Sequence, residues 1–145
     1  MKKILTLVTG LALLSSCSSD EELVSPTPAI EFISLSSSSV KAFSEPLVFT
    51  ISYRDGDGDL GENDPDVKNC YITDSRNSVT YEFRIPELAP SGSEIIIDGE
   101  LNIELQSVGI SDDVDSESAN FSIYVTDRAG NVSNTVTSSS VGVSR

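Results

Sequence analysis

The 145-residue chain reads as all-β, a single antiparallel β-sandwich of about seven or eight strands. Three observations predict it. Apolar and polar residues alternate with period two in four separate segments. Gly, Asp and Asn turn signals fall between the apolar segments. No stretch carries the period of an amphipathic helix.

The elements follow in chain order. Met1-Lys2-Lys3 is positively charged, and Ile4–Leu14 is an apolar run too short to span a bilayer as a stable helix. Small residues Ser15 and Ser16 close it. Residues 1–16 therefore read as a signal peptide and are set aside from the fold. Residues 17–28 begin at Cys17 and contain Ser18-Ser19-Asp20-Glu21-Glu22 and Ser25-Pro26-Thr27-Pro28. That segment is polar, acidic and Pro-containing, so it reads as a disordered tether with no core of its own. Residues 29–145 form the sandwich domain. Leu47, Phe49, Ile51 and Tyr53 alternate with Val48, Thr50, Ser52 and Arg54, and the same period recurs at Tyr81, Phe83 and Ile85, at Leu101, Ile103 and Leu105, and at Phe121, Ile123 and Val125. Shorter candidate strands are 30–35, 69–73, 93–97 and 132–141. Asp98-Gly99 between two apolar runs is a hairpin signal. Asp127-Arg128-Ala129-Gly130-Asn131 is a second turn, where Gly130 can take a positive φ.

Composition narrows the function classes. Twenty-three acidic residues face nine basic ones, a net charge of −14, and cleavage would remove Lys2 and Lys3 as well. Such a surface repels nucleic acid and anionic headgroups, so the charged partners it suits are cations. The chain has no His and no Trp. The commonest general base and the commonest transition-metal ligand are thus missing. Nothing supplies a nucleophile–base pair, so the chain reads as a non-enzyme. Of its two cysteines, Cys70 reads as a small buried hydrophobe in a strand.

One segment carries chemistry. Asp55-Gly56-Asp57-Gly58-Asp59-Leu60-Gly61-Glu62-Asn63-Asp64-Pro65-Asp66 holds six acids in twelve residues. Alternating carboxylates in a tight Gly-containing loop can converge on one point, and a hard cation such as Ca²⁺ wants six to eight oxygens. Asp and Gly are also ordinary turn residues, so the same segment reads as a solvated acidic turn. A second cluster, Asp112-Asp113-Val114-Asp115-Ser116-Glu117, lacks the Gly spacing and reads as a solvated loop.

Several resemblances attach to these residues. The leader ending in Leu14-Ser15-Ser16-Cys17 resembles the lipobox of bacterial lipoproteins, which implies lipidation of Cys17 and attachment to the membrane through that lipid. Ser18 after it implies the outer membrane. The following Ser-and-acid run resembles the surface-export signal of Bacteroidota lipoproteins, which implies exposure at the cell surface. The hairpin Phe121–Val136 is similar to the last two strands of bacterial immunoglobulin-like modules, so the sandwich is expected to be of immunoglobulin or fibronectin type III kind. The Cys–Trp–Cys core of antibody domains is absent. The acidic loop resembles the Asp-x-Asp-x-Asp calcium loops of EF-hand, dockerin and thrombospondin type. Asp55, Asp57 and Asp59 match their first three ligands, and Asp66 matches position twelve. Leu60 stands where an EF-hand has Gly, and the flanks read as strands, so an inter-strand calcium loop is expected. With residues 47–54 as strand B and 69–73 as strand C, this loop lies at the same end as the F–G turn. Asp127, with the Asn131 side chain as a further candidate, then completes the shell. The whole chain resembles small immunoglobulin-like lipoproteins of the Bacteroidota.

These readings lead to a lipid-anchored binding or structural module with a protein or glycan partner. The alternative is a carbohydrate-binding accessory lipoprotein, for which Tyr53, Tyr71, Tyr81 and Tyr124 are the sugar-stacking candidates. An accessory enzyme is the third and least supported reading.

Overall fold

The computed structural model describes residues 24–145. The segment read as a signal peptide, Cys17 and the first part of the segment read as a tether lie outside the described residues. Among the described residues there is no helix, and none therefore long and apolar enough to cross a membrane. The described residues form ten strands in three sheets. The first sheet orders β1 (Ala29–Leu35), β3 (Leu47–Asp55) and β6 (Ile97–Leu105). The second orders β2 (Ser39–Lys41), β10 (Val141–Ser144) and β7 (Ser116–Ala119). The third orders β5 (Thr80–Phe83), β4 (Cys70–Asp74), β8 (Phe121–Val125) and β9 (Val136–Thr137). All pairings are antiparallel except β10 with β2.

The all-β reading holds, with more strands than the seven or eight expected. β2 and β9 are very short, and β7 reads Ser-Glu-Ser-Ala, which has no apolar alternation to announce it. The segment 132–141 divides into β9 and the start of β10. The hairpin expected at Asp98-Gly99 is not there. Both residues lie inside β6, opposite Arg54 and Tyr53 of β3. Gly99 serves close approach instead of a turn, because a Cβ there would lie 2.9 Å from the Tyr53 hydroxyl.

Alternation decides which faces meet. Leu47, Phe49 and Ile51 of β3, Ile72 of β4 and Phe121, Ile123 and Val125 of β8 are all fully buried. Side chains from the three sheets join in one core. The rings of Phe49 and Phe121 meet edge to face, centroids 5.1 Å apart and planes at 80°. Each such side chain contributes about 1.5–3 kcal/mol by leaving water. Cys70 is fully buried in β4, and burial pushes its thiol pKa up to about 12. It packs as a hydrophobe and does not present a reactive thiol.

Two features position the ends of the domain. Asn134, before β9, acts as a substitute ladder residue for β1. Its Oδ1 accepts from the Ile30 N–H at 2.9 Å and its Nδ2 donates to the Ile30 carbonyl at 2.8 Å. The last residues of the segment read as a tether make contacts of their own. Pro28 is buried, and the Ser25 carbonyl accepts from the Gly56 N–H at 2.9 Å.

Asn134→Ala is expected to lower unfolding free energy by about 1–3 kcal/mol with an unchanged m-value, because both Ile30 backbone groups lose their partner. Urea unfolding measures it, and an unchanged midpoint would mean that this edge is held by packing alone.

Candidate metal centre

β3 carries an acid where its alternation calls for a hydrophobe. Leu47, Phe49 and Ile51 point into the core, and Asp55 closes the strand fully buried. Its Oδ2 accepts from the Leu60 N–H at 2.9 Å, which pulls the chain back into a tight loop. Gly58 and Gly61 make that path possible with φ of 73° and 93°. Leu60 then enters the core fully buried and forms an isolated antiparallel bridge with Asp127. That is why the position is Leu and not the Gly of an EF-hand: it anchors the loop.

The turn after β8 is held against this loop. The Arg128 N–H donates to the Asp59 carbonyl at 3.2 Å, and the Ala129 N–H donates to Asp59 Oδ2 at 2.9 Å. The Arg128 guanidinium donates to the carbonyls of Gly61 at 2.8 Å and Gly58 at 3.2 Å. Asp127 is fixed from behind. The Asn131 N–H donates to its Oδ1 at 2.7 Å and Asn131 Nδ2 donates to its Oδ2 at 2.8 Å. Asn131 thus orients Asp127.

The result is an acidic triad. Asp55, Asp59 and Asp127 each bring one carboxylate oxygen within 4.8 Å of the others, close enough to hold a metal ion. Asp55 Oδ1, Asp57 Oδ1 and Asp59 Oδ1 are buried and have no hydrogen-bond donor. Burying such an oxygen without a donor is costly, more so when it is charged. Protonation relieves part of the cost. Burial pushes the Asp59 carboxyl up to about 6, helped by the charges of Asp127, Asp57 and Asp55 and opposed by the Ala129 N–H. Burial likewise raises Asp55, with Asp57 and Asp127 adding to it and the Leu60 N–H opposing. A cleft of about 510 Å³ lies alongside, lined by Asp57, Asp59, Glu94 and Arg128 among others, and offers a route in from solvent. With oxygen donors only, the set fits a hard cation and not zinc or copper.

The other sequence candidates are placed differently. Asp66 is exposed and is not part of the triad; its N–H donates to Asp64 Oδ1 at 2.9 Å. Asp112, Asp113 and Asp115 are exposed, and Arg145 holds their loop through the carbonyls of Ser111, Asp112 and Val114. Of the tyrosines, Tyr71 and Tyr124 stack on each other with centroids 4.8 Å apart, and Tyr53 lies over Gly99. Leu60 and Arg128 are the site residues that sequence reasoning missed. The signal for Leu60 was a lone apolar residue in an acidic run. Arg128 had none beyond its adjacency to Asp127.

No protein-family model matches this chain, and no curated protein and no solved structure matches it either.

Two outcomes are expected. The Asp59 carboxyl, raised in the folded state, makes the metal-free domain bind more protons folded than unfolded between about pH 4 and 6. That part of stability is full below about pH 4 and is lost as pH rises through 6. Chemical denaturation in calcium-free buffer should show it, and Asp59→Asn should flatten this part of the profile; an unchanged profile would place the carboxyl in solvent. Leu60→Ala is expected to cost about 2–5 kcal/mol, since it empties a buried site and frees the loop. A cost below 1 kcal/mol in urea unfolding would mean that the loop is not anchored there.

Proposed function

We propose that this protein is a lipid-anchored cell-envelope module, an immunoglobulin-like β-sandwich with a Ca²⁺-stabilised inter-strand loop, and that it serves binding or assembly, not catalysis. The observation that carries the reading is the set of three buried, donor-free oxygens on Asp55, Asp57 and Asp59, with Asp127 beside them. A contrast within the same domain supports it. Asp74, at the far end of β4, is also fully buried, but Arg76 donates to both its oxygens, with Nε at 3.0 Å from Oδ1, and pairs with Glu117 at 2.7 Å. At the acidic loop the nearby Arg128 donates to carbonyls instead. A divalent cation would supply there what Arg76 supplies at the other end.

Calcium suits the set better than magnesium. Magnesium keeps its waters and favours substrate phosphates, whereas calcium accepts an irregular cage of carboxylates and carbonyls. The anchor rests on the leader and Cys17. A binding role rests on the envelope setting and on the lack of any nucleophile–base pair.

Thermal unfolding of the chain lacking residues 1–17, in calcium and in EDTA with a calorimetric titration alongside, tests the loop. A ligand at 100 times its Kd adds about 2.7 kcal/mol, so Tm should rise by roughly 5–10 °C with one saturable site. No rise would leave the loop a solvated turn. Asp57→Ala with Asp59→Ala should weaken binding and lower Tm in calcium but not in EDTA. Equal loss in both buffers would make these residues turn formers only. Asp127→Ala should weaken binding less.

A further inference from the structure

The chain enters the domain across the acidic loop. The Gly56 N–H donates to the Ser25 carbonyl at 2.9 Å, and the Thr27 N–H donates to Ser25 Oγ at 3.1 Å. Pro28 is buried just beyond. A Cβ at Gly56 would lie 2.5 Å from the Val24 carbonyl oxygen and closer still to that of Ser25. Those are backbone atoms, which cannot swing aside as a side-chain tip can. Gly56 is therefore a ledge on which residues 24 and 25 rest, and its negative φ is open to any residue. The need for Gly here is close approach, as at Gly99.

The ledge is part of the loop that carries the acids. Gly56 stands between Asp55 and Asp57, and each of those has a buried, donor-free oxygen. Its N–H belongs to the peptide that leaves Asp55, so the direction in which it points depends on how Asp55 is held. Drawing the carboxylates onto one cation fixes that peptide. Leaving them unneutralised sets like charges against one another and favours a looser loop.

We infer that Val24–Pro28 is a strap coupled to the cation site: cation binding seats the strap on Gly56, and the seated strap tightens cation binding. The inference rests on the metal reading above. Its physical basis is that an already fixed Gly56 amide receives the Ser25 carbonyl at a smaller ordering cost, and linkage makes the effect reciprocal.

Elastase cleavage of the purified full chain tests it, followed by mass spectrometry in calcium and in EDTA, with a calorimetric calcium titration in parallel. Cleavage after Val24 reports the strap. Cleavage after Val114, exposed in the loop at the opposite end, reports general stability. The expected result is one calcium site and cleavage after Val24 slowed about ten-fold or more relative to cleavage after Val114. Pro28→Gly loosens the strap without touching the loop and should weaken calcium affinity about five-fold; Gly56→Ala should lose both the protection and much of the affinity. Calcium binding with the Val24-to-Val114 ratio unchanged overturns the strap and leaves the metal reading intact, and so does wild-type affinity in both variants. Absence of calcium binding overturns the metal reading and the strap with it.

Discussion

The constraint on which this end of the domain depends is the burial of Asp55. Strand β3 delivers a carboxylate to a position that packing reserves for a hydrophobe. An acid there must have donors, a proton or a cation. One oxygen is met by the Leu60 N–H, and that bond sets the course of the loop. Leu60 is then carried into the core beside Asp127, which draws the β8–β9 turn onto the same spot. The close approach of Asp55, Asp59 and Asp127 is a consequence of that path. Like charges would not gather this way unaided; Leu60 burial, Arg128 and the turn hydrogen bonds hold them together against repulsion.

The two ends of strands β4 and β8 answer the same electrostatic problem differently. At one end, Asp74, Arg76 and Glu117 make a closed set in which the Arg76 guanidinium also donates to the Gly109 carbonyl. Both Asp74 oxygens have donors there, and the one guanidinium lies against both carboxylates. At the other end, Arg128 braces the loop through the carbonyls of Gly58 and Gly61 and lies 3.9 Å from Glu87. Its placement keeps the loop folded while leaving the carboxylate oxygens that face inward without a donor. A site kept in shape by its own scaffold loses less entropy on taking up an ion than a loop that must fold around it.

Much of this was legible in the sequence because period-two alternation and burial are two views of one fact. β3, β8 and the second half of β6 were readable for that reason, and so was the meeting of the Asp55–Asp59 segment with Asp127, which follows from strand order. What was not legible depended on contacts remote in sequence. β7 is strand because it pairs with β10, not because Ser-Glu-Ser-Ala favours it. Asp98-Gly99 is a good turn dipeptide and equally a place where a glycine lets Tyr53 approach; only the pairing with β3 decides between them. Asp66 matched a ligand position by counting residues. Pro65 and the Asp64 side chain instead turn the chain outward before it returns to β4, so the count did not translate into position.

The site also bears on how the fold is cross-linked. Cys70 is the free cysteine of the described domain and is buried, so covalent bridging contributes nothing there. Noncovalent ties that span some seventy residues join distant segments of the folded chain instead: Arg128 to Gly61, Arg128 to Gly58, Ala129 to Asp59. All of them join the β3–β4 loop to the β8–β9 turn. A cation shared by Asp55, Asp59 and Asp127 would add a tie between the same two segments. Closing a long loop costs an entropy that grows only slowly with its length, so a tie at this separation is little costlier to form than a more local one, and a cation bound only by the folded state would stabilise that state by mass action. It acts only while the ligand stays bound, unlike a disulfide. With such a cation, the stability of this end would follow the cation concentration around the protein.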